Sequence, residues 1–409
     1  MKRISLILLL LLLVGCQQFK KAKEQAALLT SIAEISGTVN TKLTGSSENV
    51  NLVAAVLIKN GDDFKVENQK TLGSSNQFQF YLKPGTYYFA VYQDDNHNLV
   101  YDEGERAIGH VDDFGTWQPI VLNEKEKKHL TSLRFSTPRN KKRLVKYNDN
   151  QSINRLGKVV NLAASDFDSE NVDLGFWHPI DFVSQVDSGL FMLSPYQENK
   201  EPLILIHGIK GNPREFSAVI EAFKNSQYQI WVLYYPSGVG LGIVRDYLVE
   251  GVDILQKRHG FERVSVLAHS MGGLIARGYL LKHQELKSNY IINQFATVNS
   301  PLLGMESAEK GVKNSPIVIN SWYDVASNSD YVKTLNEHTL SEAINYSLVF
   351  SYKSGYSGDG VVSLASQIPI NIQKEASSIR GFEATHAGIL QQNEFVQFIK
   401  RQFNVPEKR

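Results

Sequence analysis

The stretch "RVSVLAHSMGG", residues 263–273, joins an apolar run to a serine and two glycines. The run up to His269 predicts a buried β-strand, and the residues after Ser270 predict a helix. A serine hydroxyl becomes an effective nucleophile when it projects from a sharp strand-to-helix turn with small residues two before and two after it. Ala268 and Gly272 occupy those two positions. Ser270 is therefore a candidate nucleophile, and a serine that caps the following helix is the alternative.

The residues around this stretch alternate apolar strands with amphipathic helices. The runs "PLILIHG" and "YQIWVLYYP" predict strands, and each is followed by a helical pattern, "REFSAVIEAFKNS" and "GIVRDYLVEGVDILQKRHG". Such alternation is typical of an α/β domain, a mainly parallel sheet with helices on both faces. We assign residues 201–405 to this domain. We expect residues 137–200 to form a linker and antiparallel strands at the leading edge of the sheet.

Residues 35–136 show a different pattern. Short runs such as "QFQFYL" and "TYYFAVYQD" alternate apolar and polar residues, and Gly, Asn and Asp clusters separate them. Period-two alternation at this spacing predicts a small, all-β antiparallel sandwich ahead of the α/β domain. A length of 409 residues accommodates two such domains.

The charge balance argues against one class of partner. The chain has 43 Lys and Arg against 42 Asp and Glu, so its net charge is +1. Proteins that bind nucleic acid usually carry a basic footprint, and this balance gives none. No nucleic-acid partner is expected, and the composition does not predict an oligomeric state.

The N-terminus, "MKRISLILLLLLLVGC", has a basic start and an apolar run that is shorter than the roughly 20 residues needed to cross a bilayer. Residues 1–15 fit a secretory signal peptide. Cys16, the single cysteine of the chain, follows directly, and the junction resembles the bacterial lipobox. That resemblance implies an acylated Cys16 and a cell-envelope location, and the polar, weakly helical pattern of residues 16–34 predicts a lipidated tether. With Gln17 next, the resemblance implies the outer membrane in a Gram-negative cell. A plain signal peptide with an incidental cysteine is the alternative.

An acyl-transfer nucleophile needs donors for a developing oxyanion. The run "LILIHGIKGNP" ends a strand at His207 and Gly208, two elements before the serine. We expect the N–H of Ile209 to act with that of Met271, while Gly208 and Lys210 are alternative loop donors. His207 precedes the nucleophile strand and is interpreted as structural.

The chain order Ser, acid, His restricts the other partners of the nucleophile. His386 lies late in the chain, in "GFEATHAGILQQNEF", and is the candidate base; a helix-capping histidine is the alternative. Asp359, in the glycine-rich "SGYSGDGVVSL" after a strand, is the preferred acid because a carboxylate there can orient the imidazole. Asp324 and Asp330 compete with it from a polar, helix-like stretch.

Together these motifs ("HG", "AHSMGG", "T-x-x-SP-x-x-G", "GDGVV" and "THAGI") resemble the α/β-hydrolase superfamily, over about Glu201 to Phe403. Within it the chain is similar to lipases and esterases of the PGAP1-like and bacterial triacylglycerol lipase kind. The resemblance implies Ser270, Asp359 and His386 as catalytic triad, and ester hydrolysis through an acyl-enzyme without a cofactor. Leu302 stands where such lipases often have a histidine, "TPH-x-G".

A second polar loop, "DDNHNLVYDEGE", lies in the β-rich region. Its oxygen-bearing side chains fall at positions 1, 3, 5, 9 and 12 of a calcium loop, and they are Asp94, Asn96, Asn98, Asp102 and Glu105. Leu99 occupies the position where such loops have glycine for the sharp turn. A structural Ca²⁺ site and a plain Asx-rich β-turn are therefore both open interpretations.

The sequence thus predicts a membrane-anchored serine hydrolase that cleaves acyl or lipid esters. An acyltransferase or thioesterase with the same triad is one alternative, and a non-catalytic surface scaffold is another. The glycines of "SGVGLGIVRDY" do not have dinucleotide-binding spacing and predict a loop near the acyl pocket. Residues 302–345 interrupt the alternation of strands and helices, and we expect them to form a lid.

Overall fold

The structure is a computed structural model that describes residues 2–39, 52–61, 63–72, 76–95, 105–130, 135–136, 144–145 and 155–406. The chain forms two compact units. The α/β unit comprises residues 1–27 and 155–409, and the β unit comprises residues 28–154. Residues 16–34 were expected to form a tether; the part of this stretch up to residue 27 groups with the α/β unit, which Lys21, Ala22 and Gln25 contact. Among the described residues, no helix is long and apolar enough to cross a bilayer.

Two sheets build the β unit, and their facing sides enclose an apolar core that includes Ile35, Val56, Phe80 and Phe89. The smaller sheet has the order β4-β1-β8, and the larger has the order β10-β3-β2-β5-β6-β9 with β7 paired to β5. Most pairs are antiparallel as expected, but β1 and β8 run parallel, as do β3 and β10. The strands are β1 (Ala33–Thr38), β2 (Leu52–Asn60), β3 (Asp63–Thr71), β4 (Gln77–Leu82), β5 (Gly85–Gln93), β6 (Ala107–His110), β7 (Ile120–Leu122), β8 (Lys127–Leu130), β9 (Phe135–Ser136) and β10 (Leu144–Val145).

The proposed calcium loop of the β unit is described only at its two ends. Asn96, Asn98 and Asp102 lie outside the described residues. Asp94 is buried, and the backbone N–H of Asp95 donates to Glu105 Oε1 at 3.0 Å. Among the residues that the structure describes, no three His, Cys, Asp or Glu side chains are grouped to hold a metal.

A seven-stranded sheet forms the centre of the α/β unit, in the order β11-β13-β12-β14-β15-β16-β17. Edge strand β11 is antiparallel to β13, and the other neighbours run parallel. This confirms the expected α/β fold with a mainly parallel sheet. The strands are β11 (Gly189–Met192), β12 (Glu201–Ile206), β13 (Tyr228–Tyr234), β14 (Arg263–His269), β15 (Ile291–Val298), β16 (Asn345–Tyr352) and β17 (Ser378–Glu383).

Helices follow most of the strands of this sheet, and their apolar sides pack on it. The helices of the chain are α1 (Lys2–Ser31), α2 (Ser169–Trp177), α3 (Pro179–Gln185), α4 (Ser217–Phe223), α5 (Leu241–His259), α6 (Met271–Leu286), α7 (Glu306–Asn314), α8 (Asn320–Val325), α9 (Asp330–Glu337), α10 (Leu364–Gln367), α11 (Ile370–Glu375) and α12 (Asn393–Gln402). Helix α6 begins directly after the carboxyl end of the central strand β14. The turn between them sets the position of Ser270.

The segment before β12 differs from its sequence-based expectation. Antiparallel pairing is found at β11, but α2 and α3 occupy residues 169–185 where strands were expected. Pro179 starts α3, where its missing N–H costs nothing. Phe182 and Val186, four residues apart, are both buried. A helical period, and not period-two alternation, therefore buries the apolar side chains here.

Between β15 and β16 the chain inserts the short helices α7, α8 and α9, in the region expected to form a lid. Buried contacts hold this insertion to the core. Arg277 of α6 donates to the carbonyl oxygens of Leu335 and His338 and forms a bidentate pair with Glu375, both nitrogen–oxygen distances being 2.8 Å. These contacts fasten the end of α9 and the segment after it to α6 and to the end of α11.

Candidate active site

Ser270 lies on a sharp turn between β14 and α6, with φ 54° and ψ −129°. A non-glycine residue with positive φ stores strain and is common at functional sites. The turn requires its glycines: a Cβ on Gly272 would lie 2.4 Å from the Ile206 carbonyl oxygen, and one on Gly273 would lie 1.9 Å from Ser300 Oγ. The "SMGG" sequence therefore lets the helix start directly against the neighbouring strands, with the Ser270 side chain at the end of the sheet.

Three side chains from different elements meet at this turn. His386 Nε2 lies 2.8 Å from Ser270 Oγ, and His386 Nδ1 lies 2.7 Å from Asp359 Oδ2. Ser270 and Asp359 are buried, while the His386 ring is partly accessible. The arrangement lets the Asp359 carboxylate accept the Nδ1–H proton, which leaves Nε2 as the acceptor for the serine hydroxyl.

The loop after β16 holds Asp359 as an anion. Its Oδ1 accepts the backbone N–H groups of Val361 and Val362, both at 2.8 Å. Burial alone would raise the pKa of Asp359, but the hydrogen bond and charge of His386, together with these two N–H groups, hold it below its usual range. The carboxylate is thus ionised where it orients the imidazole.

The two competing aspartates lie away from the imidazole and have other partners. Asp324 Oδ2 accepts the backbone N–H of Leu241, the first residue of α5, at 2.6 Å. Asp330 is exposed in the first turn of α9, 3.6 Å from Lys333 Nζ. The Asp324 carboxylate also occupies the helix start that follows "SGVGLG", where a dinucleotide phosphate would bind. The structure brings Asp359 alone of the three to His386.

The "HG" loop reaches the nucleophile from β12. A Cβ on Gly208 would lie 2.7 Å from Ser270 Cβ, so only glycine permits this approach. Lys210 N–H donates to Ser237 Oγ at 3.0 Å and is therefore not available to an oxyanion. Met271 is the first residue of α6, and the first N–H groups of a helix have no intrahelical acceptor. Ile209 and Met271 remain the predicted donors.

His207 holds the "HG" loop by ring stacking and by hydrogen bonds. Its ring stacks on Tyr235 at 4.2 Å between centroids, and its Nδ1–H donates to the Gly208 carbonyl at 2.8 Å. The Tyr235 hydroxyl donates to the His207 carbonyl at 2.7 Å. Burial lowers the pKa of His207, which keeps the ring neutral. These contacts agree with a structural role for His207.

His269, next to the nucleophile, has a role that sequence reasoning missed. Its Nδ1 lies 3.0 Å from Glu215 Oε1, and its Nε2 lies 3.0 Å from the carbonyl oxygen of His386. A carboxylate and a carbonyl can only accept, so both ring nitrogens donate and the ring is an imidazolium. Burial alone would lower the pKa of His269, but the charge and hydrogen bond of Glu215 raise it. Glu215 is 54 residues away in sequence, and no local motif identifies it.

Comparisons with known proteins find one family and one relative that are similar to part of this chain. Residues 197–344 match the model of a family described as "Putative serine esterase (DUF676)". Lipase 3 of Moraxella sp. (strain TA144) is 27% identical over 154 residues, which cover 34% of this chain and 46% of that protein. The chain thus matches about half the length of this relative.

Solved structures resemble about half of this chain at low identity. The mature form of lipase BlEst2 from Bacillus licheniformis has a TM-score of 0.43 at 17% identity, over 52% of this chain and 97% of that chain. The product of the gene lin2722 from Listeria innocua has a TM-score of 0.41 at 14% identity, over 51% and 96% of the two chains.

The family match covers the strands and helices that carry Ser270 and the "HG" loop, while Asp359 and His386 lie beyond it. Sheet order, nucleophile turn and triad geometry are those expected of one superfamily. The α/β unit therefore has the α/β-hydrolase fold, and residues 197–344 within it are similar to a family described as serine esterases.

Proposed function

We propose that the protein hydrolyses carboxylic esters of lipids through an acyl-enzyme on Ser270. The observation that carries the proposal is the continuous hydrogen-bonded series from Ser270 Oγ through His386 to Asp359, at 2.8 and 2.7 Å. A serine alcohol needs such a base, and a base needs an orienting carboxylate, for attack on a carbonyl carbon.

In the first half-reaction, His386 Nε2 takes the proton of Ser270 while Oγ bonds to the ester carbon. The carbonyl oxygen becomes an oxyanion, which accepts the N–H groups of Ile209 and Met271. Collapse of this intermediate breaks the bond to the alcohol oxygen, which leaves with the proton from His386. Water then attacks the acyl-enzyme with His386 as base, and the carboxylic acid and free serine are formed.

Lipid esters are the substrate class that the relatives favour, since one of them bears the name Lipase 3. The site agrees with an apolar acyl group, because the residue after the "SP" pair is buried Leu302 where a histidine is frequent. A buried aliphatic side chain at that position of the motif suits an acyl chain better than a charged substrate.

We also propose that the mature chain begins at Cys16, is acylated there and is held at the cell envelope, at the outer membrane in a Gram-negative cell. The lipobox-like residues before Cys16 support this. Labelling of cells with a palmitate analogue tests it: the wild type is expected to incorporate label and Cys16→Ser is not. An unlabelled wild type would remove the anchor from the proposal.

A fluorophosphonate probe tests the catalytic proposal. The wild type is expected to label covalently and to release fatty acid from esters, whereas Ser270→Ala should do neither while keeping the same circular dichroism spectrum. Ser300→Ala, a second buried serine near the turn, should still label. A folded wild type that does not label would contradict the assignment, and a product that appears only with added alcohol would indicate acyl transfer.

A further inference from the structure

The second half of helix α1 is held on the α2–α3 pair by specific contacts. Gln25 Oε1 accepts the backbone N–H of Ile180 at 2.9 Å, across 155 residues of sequence. Lys21 Nζ lies 2.6 Å from Asp181 Oδ2. Gln25 is buried although it is polar, so its hydrogen bond is needed where it lies. These contacts fix the direction of α1 relative to α3.

An apolar cluster lies beneath this contact. Ala22 is buried with Phe176, Ile317 and Ile319, and Ala26, Ile209 and Trp322 pack against them. Ile209 is the residue of the "HG" loop that is predicted to donate to the oxyanion. Ala22 and Ala26 of α1 belong to the same apolar cluster as Ile209. Helix α1 therefore docks on the oxyanion side of the active site.

Large apolar side chains remain exposed at this place. Trp177, Ile180 and Val183 follow one another at three-residue spacing along the α2–α3 pair and are 39%, 36% and 49% exposed. Phe19 is 50% exposed and lies one turn before Ala22, so it extends the docked stripe of α1 past the cluster. We call Phe19, Trp177, Ile180 and Val183 the apolar rim. The exposed lysines Lys20 and Lys23 flank it.

We propose that the apolar rim docks on the surface of a phospholipid bilayer and places the oxyanion side of the active site against it. The proposal rests on the proposed lipid-ester hydrolase and on its anchor at Cys16. Cys16 and Phe19 lie in the same helix, three residues apart, which is about 5 Å. An acylated Cys16 would thus hold this part of α1 at the bilayer.

The residue types fit a bilayer better than a protein partner. Tryptophan and lysine are typical of the membrane interface, where an apolar body enters the lipid and a polar end stays in water. Three carboxylates near the rim have lysine partners: Asp181 pairs with Lys21 and Asp173 with Lys210, both at 2.6 Å, and Glu24 lies 3.8 Å from Lys20. These pairs lower the cost of bringing the carboxylates to a lipid surface, and exposed Lys23 favours anionic headgroups.

Vesicle partition of a form without the lipid anchor separates the rim from the anchor. We suggest residues 16–409 with Cys16→Ser, mixed with vesicles of phosphatidylcholine and phosphatidylglycerol and analysed by flotation. The rim variant is Trp177→Ser with Val183→Ser. Its matched control is Ile291→Ser with Ile379→Ser, which are 57% and 43% exposed at the amino ends of β15 and β17, opposite the active site.

We expect the parent and the control to float with the vesicles and the rim variant to partition at least tenfold more weakly. For an ester embedded in vesicles, KM should rise in the rim variant, while hydrolysis of a soluble butyrate ester stays the same in all three. Equal flotation of parent and rim variant overturns the proposal. A parent that does not float also overturns it, and would point to a protein partner for the rim.

Two further readouts keep the outcomes distinct. The Trp177 ring lies 4.8 Å from the Phe176 ring, so its removal could disturb the fold. The single variant Val183→Ser leaves this contact in place, and its melting temperature reports any folding defect. Weaker flotation of this variant at an unchanged melting temperature supports the rim. Loss of soluble-ester hydrolysis and of fluorophosphonate labelling in the parent would overturn the proposed function, whereas flotation that still depends on the rim would leave the docking surface standing.

Discussion

Nε2 of His269 lies 3.0 Å from the carbonyl oxygen of His386, so the residue before the nucleophile holds the backbone of the catalytic base. Asn299 Nδ2 donates to the same carbonyl at 2.8 Å. Glu215 in turn holds Nδ1 of His269 at 3.0 Å. The two donors hold the backbone of His386 through its carbonyl oxygen. Both ring nitrogens of His386 therefore stay available for Ser270 and Asp359.

Glu215→Gln should lower kcat about tenfold with little change in KM, because the loop of His386 loses its charged support while the substrate site is intact. It should also change the pH dependence of stability. Since Glu215 raises the pKa of His269, the imidazolium stabilises the fold fully below its unfolded pKa of about 6.5 and progressively less as pH rises through the folded pKa.

The free energy of unfolding, measured with urea at pH 6 and pH 9, checks this. The difference between wild type and Glu215→Gln should be larger at pH 6. The groups that face His269 besides Glu215 are His207, His386 and Asp359. Glu394 is exposed and is not one of these groups, so Glu394→Gln serves as the control. A difference that grows with pH would show that Glu215 does not act through a protonated His269.

Asp359→Asn should lower kcat by about 10³–10⁴-fold, because an amide can neither stabilise imidazolium nor fix the Nδ1–H tautomer. Steady-state kinetics on a soluble ester measure the effect, and KM should change little. Asp330→Asn, in the exposed first turn of α9, should retain wild-type activity. Comparable losses in the two variants would contradict the assignment of the acid.

Gly273→Ala should destabilise the fold by about 1–3 kcal/mol, since its Cβ would lie 1.9 Å from Ser300 Oγ and 2.6 Å from Ser300 Cβ. Adding Ser300→Gly removes both atoms and should restore part of the loss. Gly272→Ala meets backbone atoms of Ile206 and His207, so Ser300→Gly should not rescue it. Urea unfolding of the single and double variants measures this; equal rescue of both glycines would mean that the clash lies elsewhere.

Glu375→Gln should cost about 3–5 kcal/mol, because it leaves the buried Arg277 guanidinium without its counter-charge. The matched control is Glu285→Gln, which breaks the exposed pair with Lys282 and should change stability by no more than about 0.5 kcal/mol. Thermal and urea unfolding report the cost. An equal, small effect of both changes would show that Arg277 does not depend on Glu375.

Local sequence was sufficient to predict those elements whose structure depends on residues adjacent in the chain. The apolar run of β14, the small residues around Ser270 and the apolar side of α6 predict a strand, a sharp turn and a helix, and the structure has all three. The order of motifs along the chain selected His386, and the glycine-rich loop after a strand favoured Asp359, because the parallel topology carries the ends of successive strands to one edge.

Contacts between distant residues could not be read from the chain. Antiparallel strands were expected ahead of β12, but α2 and α3 form residues 169–185, since burial there follows a helical period. Likewise, residues 16–34 read as a tether, because the buried partners of Ala22 and Gln25 lie more than 150 residues away in sequence.

By itself the sequence determined the α/β fold, the strained turn at Ser270 and the order of nucleophile, acid and base, because these depend on local periodicity and on steric limits at small residues. Tertiary structure alone decided that Asp324 caps a helix while Asp359 meets His386, that Glu215 and His269 support the base, and that α1 docks beside the oxyanion loop. Burial and hydrogen bonding depend on which side chains are close in space. The chain holds many residues of the same chemical type, so the sequence alone does not show which of them become neighbours.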